Sequence, residues 1–508
     1  MRRVVVVGGG ISGLAAAWEL SGGSRGTGGG PGIHHTGTRG GTPELDADEV
    51  DAKEMDGREV DGPEIIVLES TSRLGGPLDS VKFGDHIVDT GPDGFLGRRP
   101  EAVALCHEIG LESSLVPIAR SGAAVWARGR LRPLPASLAL GIPTRFGPTA
   151  RSGILGLRGQ IALARDVVLP RPDVRGPIGD RSIGPLVSRK LGRRVSERLA
   201  DPLIGGIHAG SVDDMSAAAT FPPLLAAAQK RGSLMRALRA EMPTPAADPP
   251  PLFWALEGGM ASLITHLAAA LRARGVEIRC NTPVEQLERP GERQGQPQGE
   301  RWSVAAGAEH IRADAVVLAL PAPGAGRLLA PHDDEAAALL ANIPYASVTV
   351  VTMRVPVDAV PGPLTGTGFL VPRQSPPARG RDAWAVTGCT YLSEKWPHLS
   401  TEGEVLLRAS LGRFGDDRAD SWSDAEVIAR VWDELGLLLG LTGEPLESMV
   451  TRWRGAFPQY RVHHLMRTAG IEAALARLGG IASAGAAYRG VGIPACIASG
   501  RAAAQALA

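Results

Sequence analysis

Three glycines near the head of the chain constrain the fold more than any other feature. The first fourteen residues read MRRVVVVGGGISGL, and Gly8-x-Gly10-x-x-Gly13 falls between an apolar run and a helix-forming run. Residues 3–7 carry four successive valines, the pattern of a parallel strand buried on both faces. Residues 11–20, ISGLAAAWEL, predict a helix with small residues on the face turned to the sheet. Gly8 permits a tight turn, Gly10 lacks the Cβ that would keep a pyrophosphate from the backbone, and Gly13 lets helix and strand approach closely. The helix start then offers unpaired N–H groups and a positive partial charge, which suit phosphate. A glycine triplet alone is a weak signal. Here the strand before it and the helix after it meet the context that the motif requires. The turn thus predicts dinucleotide binding by Gly8, Gly10, Ile11, Ser12 and Gly13.

In such folds an acid at the end of the second strand binds a ribose hydroxyl, roughly 20 residues past the glycines. The matching strand here, Glu64-Ile65-Ile66-Val67-Leu68-Glu69, comes far later. Residues 22–63 separate the two, with 12 glycines, no aromatic residue and an acidic second half. They read as a disordered insertion between the first helix and the second strand. After Glu69 and Ser70 come Arg73, Gly75 and Gly76. A guanidinium offers bidentate donors to a pyrophosphate, and a glycine pair lets the backbone approach a flat ring. Together they favour FAD, held non-covalently, over NAD. The pattern is similar to that of glutathione-reductase-type flavoproteins, and more narrowly to the amine oxidase and phytoene desaturase superfamily. A third element lies at the C-terminal end. Gly485-Ala486-Ala487-Tyr488-Arg489-Gly490-Val491-Gly492-Ile493-Pro494 precedes a final helix whose positive end would favour the anionic N1–O2 edge of a reduced flavin.

The remainder of the chain mainly excludes alternatives. Lys+Arg and Asp+Glu are both 54, so no basic excess points to nucleic acid. No signal peptide and no apolar run long enough to span a bilayer is visible, so the expected location is cytoplasmic, with peripheral membrane contact left open. Cys106, Cys280, Cys389 and Cys496 form no CxxC pair, which argues against a disulfide framework, zinc or an iron–sulfur cluster. Adjacent His463 and His464 point apart on any regular element, so no metal is expected. No Ser/His/Asp set or paired carboxylates stand out.

Several longer motifs narrow the family. They are Asp89-Thr90-Gly91-Pro92-Asp93-Gly94-Phe95-Leu96, Ala200-Asp201-Pro202-Leu203-Ile204-Gly205-Gly206-Ile207-His208-Ala209-Gly210, Ala219-Thr220-Phe221-Pro222, Trp453-x-x-Ala456-x-Pro458-Gln459-Tyr460 and the AYRGVGIP stretch. In kind and order these resemble the protoporphyrinogen oxidase family over nearly the whole chain apart from the insertion. Two departures stand out: His208 where the family often has Tyr, and Ala486-Ala487 where the wider superfamily has Gly-Asp or Gly-Asn.

The resemblance implies an α/β and α+β architecture with a Rossmann-like FAD-binding domain of the glutathione-reductase type. An FAD domain would comprise 1–78, 254–325 and 478–508. An interleaved substrate domain would comprise 79–96, 214–253 and 326–477, and a helical domain 97–213. It adds Glu69, Ser70, Arg73, Gly75, Gly76, Gly91, Pro92, Asp93, Val284, Trp453, Gly485, Val491, Gly492 and Ile493 to the cofactor set. It implies oxidation of a porphyrinogen to a porphyrin, with O2 as acceptor and hydrogen peroxide as by-product. The bacterial branch commonly acts on coproporphyrinogen III, the protoporphyrinogen IX reaction being secondary. Arg98 and Arg99 are candidates for the substrate's propionates, and Gly205, Gly206 and Ile207 for contact with its ring. No catalytic side chain is identified, since the flavin drives the reaction. Partners implied are the porphyrinogen, O2, and ferrochelatase or another haem-pathway protein. The alternatives are an amine oxidase or carotenoid desaturase-type oxidoreductase, or a non-catalytic FAD-binding partner in the haem pathway.

Overall fold

The computed structural model describes residues 2–23, 62–169, 179–243, 250–289, 301–377 and 383–508. The expected insertion therefore lies outside the described residues except at its two ends.

The valines of strand Arg3–Val7 are 3% exposed or less. They sit at the centre of a five-stranded parallel sheet, between Glu64–Leu68 and Ala315–Leu318, with Glu277–Arg279 and Ile481–Ser483 at the edges. β-Branched side chains suit a pleated surface covered on both faces. Helix Ile11–Leu20 and the final helix Ile493–Leu507 cover one face and cross closely: a Cβ on Gly500 would stand 2.1 Å from the Ser12 carbonyl oxygen. Ala15, Ala16 and Ala17 are fully buried there. The other face carries a three-stranded antiparallel layer, Gln286–Glu288, Trp302–Ala306 and Glu309–Ala313, with Trp302 fully buried. Arg3 is in register with Glu64 and pairs with it at 2.8 Å. The chain thus returns beside the first strand, which places the insertion in the helix-to-strand connection expected from the late position of Glu69.

A seven-stranded sheet runs in the order Glu447–Pro458, Tyr345–Pro356, Glu404–Leu411, Val386–Tyr391, Gly368–Leu370, Ala124–Ala127, Arg130–Pro133. Helix Asp424–Leu439, opened by a Ser423–Glu426 capping box, packs on it. A separate core joins helices Gly156–Val168, Ile183–Leu191, Pro222–Gln229 and Leu234–Glu241 with a π-helical stretch over Ser196–Gly205.

The chain departs from the expected division in three places. Ala124–Ala127 and Arg130–Pro133 lie inside the stretch expected to be helical, yet they extend the seven-stranded sheet. Helix Pro100–Glu108 places Ala102, Leu105 and Cys106 in the core of the parallel sheet, beside the final helix. Phe221, Leu224 and Leu238, beyond residue 213, belong to the helical core. There Pro222 and Pro223 open a helix, where a missing N–H costs nothing, rather than ending one.

Candidate cofactor and substrate site

The glycine turn, the second-strand acid and the C-terminal loop meet at the carboxyl ends of the parallel strands, where open α/β sheets bind ligands. Gly8 takes φ +112°, and a Cβ there would stand 2.3 Å from the Ala319 carbonyl oxygen. A Cβ on Gly13 would stand 2.0 Å from the Gly8 oxygen. Gly10 differs: a Cβ added to it meets no atom within 4 Å. The same holds at Gly76, at φ +58°. Both glycines border open space beside the first helix's unpaired amides, so the cradle fits a dinucleotide.

Glu69 accepts from the Gly9 amide at 2.8 Å through Oε2, and from the Thr71 amide and hydroxyl at 2.9 and 2.8 Å through Oε1. Ser70 is exposed, and its hydroxyl turns to the same carboxylate at 3.3 Å. The carboxylate is thereby fixed at the mouth of the turn. The Gly75 amide donates to the Gly9 carbonyl at 2.9 Å, which docks the second glycine motif on the first. Exposed Arg73 donates to the Gly76 carbonyl at 2.7 Å and lies 3.7 Å from Asp79. Val284 is partly buried just past Thr282, whose amide donates to the Glu69 carbonyl, so it lies on the same rim.

Three expected cofactor side chains are engaged elsewhere. Ile11 is buried and Ser12 is 6% exposed, with its hydroxyl turned to Cys496; only their amides face the turn. Asp93 accepts through Oδ2 from Lys395 at 2.8 Å and Trp396 Nε1 at 2.9 Å. Burial alone would raise the Asp93 carboxyl, but Lys395 and Arg408 hold it well below the usual carboxylate range. Asp93 therefore anchors its loop. The Gly91–Pro92 backbone lies against the second glycine motif, since a Cβ on Gly91 would collide with the Pro77 carbonyl oxygen. Trp453 donates from Nε1 to the Thr90 carbonyl at 2.8 Å, reinforcing the same loop from strand Glu447–Pro458.

The C-terminal loop is held by residues that carry no expected role. The Tyr460 hydroxyl donates to the Ala486 carbonyl at 2.5 Å and accepts from the Gly490 amide at 2.7 Å. Its ring stacks on His464 at 4.0 Å between centroids. His464 Nε2 lies 2.8 Å from the Tyr488 carbonyl. Burial pushes this imidazole down to about 4, so it is neutral and donates from Nε2. One aromatic pair therefore fixes both ends of the loop where Ala486-Ala487 replace a polar pair. Gly485, at φ +133°, Val491 and Gly492 lie on this loop, and Gly492 caps the final helix at Ile493. Tyr460→Phe removes both loop bonds and is expected to raise the Kd for FAD roughly tenfold. Flavin titration of the deflavinated variant checks this, and an unchanged Kd contradicts the clamp.

The substrate candidates divide. Arg99 pairs with Glu101 at 2.6 Å, and its Nη1 lies 3.8 Å from the Cβ position of Gly490, so it stands beside the C-terminal loop. Arg98 is exposed. Arg489 is exposed and bound to Glu472 at 2.6 Å. Gly205 is corrected: it is buried, and its Cβ would meet the Gly210 oxygen at 2.9 Å, because it closes the π-helical stretch on itself. Gly206 and Ile207 are exposed, Ile207 at 52%. His208, next to them, has its ring centroid 6.1 Å from Tyr460, and burial pushes it down to about 4. The four cysteines are free, and burial pushes the Cys496 thiol up to about 11, so it is an inert thiol at neutral pH. Among the described residues no His, Cys, Asp or Glu cluster is placed to hold a metal, and no helix is long and apolar enough to cross a membrane.

Comparison with known proteins agrees with this geometry. Residues 11–508 match the family described as flavin containing amine oxidoreductase. A coproporphyrinogen III oxidase of Bacillus subtilis strain 168 is 31% identical, with 99% of this chain and 97% of that protein covered. A coproporphyrinogen III oxidase of Mycobacterium tuberculosis strain H37Rv is 33% identical, with 99% and 96% covered. A crystal structure described as a protoporphyrinogen oxidase from Exiguobacterium sp. 255-15 superimposes with a TM-score of 0.80 at 30% identity, covering 100% of this chain and 98% of that one. With the glycine cradle, the fixed Glu69 and the clamped C-terminal loop, these matches make the chain an FAD-dependent member of the flavin-containing amine oxidoreductase family, in the branch that holds the coproporphyrinogen III oxidases.

Proposed function

We propose that the protein oxidises coproporphyrinogen III to coproporphyrin III, six electrons leaving in three two-electron steps, with O2 reduced to hydrogen peroxide at each. The supporting observation is near-full-length identity of 31–33% to oxidases named for that substrate. Bound FAD supplies the acceptor for a hydride from a meso carbon of the macrocycle, and aromatisation adds driving force.

The chain's own groups bind and orient. The first-helix amides, Glu69 and the Gly75–Gly76 turn would hold the dinucleotide, and the loop clamped by Tyr460 would present amides to the ring. Gly206 and Ile207 would form an apolar wall for the macrocycle, with Arg98 and Arg99 near its carboxylates. No side-chain base is required: one pyrrole N–H proton can leave to water in each step, and imine–enamine tautomerism moves the fourth meso hydrogen onto nitrogen before the last.

The test is steady-state porphyrin fluorescence with coproporphyrinogen III and protoporphyrinogen IX in parallel. A higher kcat/KM for coproporphyrinogen III is expected. No acceleration over autoxidation with either would sink the reading, and a preference for protoporphyrinogen IX would move the substrate to that of the Exiguobacterium protein's description. For peripheral membrane contact, the support is helix Gly156–Val168, where Leu157 (73%), Ile161 (60%) and Val168 (74%) stand exposed beside Arg158 and Arg165.

A further inference from the structure

Arg413 follows strand Glu404–Leu411, and its guanidinium makes no hydrogen bond or ion pair among the described residues. Its Nε is sealed from solvent without an acceptor, while its terminal nitrogens, equally unpartnered, are not sealed. Arg373 is its neighbour in charge. Arg373 Nη2 reaches only long contacts to the Gly210 and Phe414 carbonyls, at 3.3 and 3.4 Å, and its Nε is likewise buried and unpaired. Asp201, 5% exposed, acts electrostatically on both but spends Oδ1 on the Val212 amide at 3.3 Å. Asp416 is bound to Arg418 at 2.7 Å. Burial and Arg373 push Arg413 down to about 10, which leaves it charged at neutral pH. Asp416 also acts on Arg413, but its carboxylate is held by Arg418, so three guanidinium ions share two carboxylates. A buried cation in excess of its counter-charges is costly unless an anion joins it.

The place of the pair indicates which anion. The Phe414 amide, next to Arg413, donates to the Ala209 carbonyl at 2.7 Å. Ala209, at φ 47°, closes the turn that carries exposed Gly206 and Ile207. Leu370, on the strand that leads to Arg373, lies 3.5 Å from the Cβ position of Gly206. The arginines thus stand at the seam between the π-helical stretch and the seven-stranded sheet, behind the candidate macrocycle wall. That wall is distinct from the loop bearing Arg98 and Arg99.

We propose that Arg413, with Arg373, binds one propionate carboxylate of the porphyrinogen, which rests on the porphyrinogen reading above. A guanidinium pair receives a carboxylate by paired N–H donors. A second cationic wall suits a substrate with four carboxylates better than one with two.

The test uses the flavin-loaded protein with Arg413→Met and Arg413→Lys variants. Probes are coproporphyrin III, its tetramethyl ester, and the porphyrinogen in turnover. Arg413→Met is expected to raise the Kd for coproporphyrin III and the KM for coproporphyrinogen III roughly tenfold, with kcat and flavin content retained. Arg413→Lys should recover most of the loss, and the ester should not distinguish wild type from Arg413→Met. Thermal stability of the porphyrin-free Met variant should equal or exceed that of wild type, because an unpaired buried cation is removed. Unchanged Kd and KM would overturn the proposal. So would a fall in melting temperature with kcat and KM disturbed together, the sign of a structural clamp. If wild type oxidises neither porphyrinogen, the function reading falls; Arg413-dependent coproporphyrin III binding would then still support the carboxylate site, and its absence would remove that too.

Discussion

Gly10→Val is expected to give a folded chain that cannot hold flavin. The three glycines of the first turn are not equivalent. Gly8 and Gly13 face backbone oxygens at 2.3 and 2.0 Å from their Cβ positions, and Gly8 also has φ +112°, so side chains there strain the sheet-to-helix junction. Gly10 has φ −73° and ψ 172°, extended backbone open to any residue, and its Cβ position is empty. The added isopropyl group, three carbons, would occupy only the space above the first-helix amides. Flavin absorbance per protein should fall by roughly tenfold or more, equivalent to losing about 1.4 kcal/mol or more of binding. The circular dichroism and denaturant midpoint of the flavin-free variant should match those of flavin-free wild type. Retained flavin would contradict the assignment of the cradle. A collapsed fold would show that Gly10 is structural, as Gly8 and Gly13 are.

Lys395→Met is expected to destabilise the chain by about 3–5 kcal/mol, the usual cost of stranding a buried partner. Asp93 and Lys395 are 22% and 14% exposed and lie 2.8 Å apart. Without the lysine, the carboxylate keeps only the Trp396 N–H and the more distant Arg408. Because the folded state holds Asp93 well below its ordinary 3.8, the pair contributes stability above that pH and loses it as pH falls further. The variant should therefore be less stable at pH 7 and less sensitive to acid. Adding Asp93→Asn should recover part of the loss, since no charge is then stranded. Urea unfolding at pH 7 and below pH 4 tests both statements. A loss under about 1 kcal/mol would mean that the pair is effectively solvated.

These two sites show what the sequence could and could not convey. The nucleotide half was legible because its chemistry is local: a valine strand, glycines at fixed offsets and an acid ending the next strand. Even the insertion did not hide it, because Glu64–Leu68 carries its own strand pattern. Asp93 was legible as a motif residue but not in its role, since its partner Lys395 is 302 positions away. The Tyr460–His464 clamp was invisible for the same reason: its bonds to Ala486, Tyr488 and Gly490 exist only after the strand Glu447–Pro458 has docked on the cofactor loop. Gly205, a candidate for ring contact beside Gly206 and Ile207, is buried instead, because a glycine-rich string does not reveal which glycine folds inward. The hairpin over 124–133 was lost inside helical surroundings, its strands being four residues each and only the first of them paired with distant Gly368–Leu370.

The proposed oxidation requires the bound flavin to take electrons from a porphyrinogen. Mixing the flavin-loaded protein anaerobically with coproporphyrinogen III tests it most directly, with flavin and porphyrin absorbance followed together. Bleaching of the flavin is expected, with three flavins reduced per porphyrin formed, and recovery of the yellow form on admitting O2 with peroxide released. A flavin that stays oxidised in the presence of excess coproporphyrinogen III would contradict it.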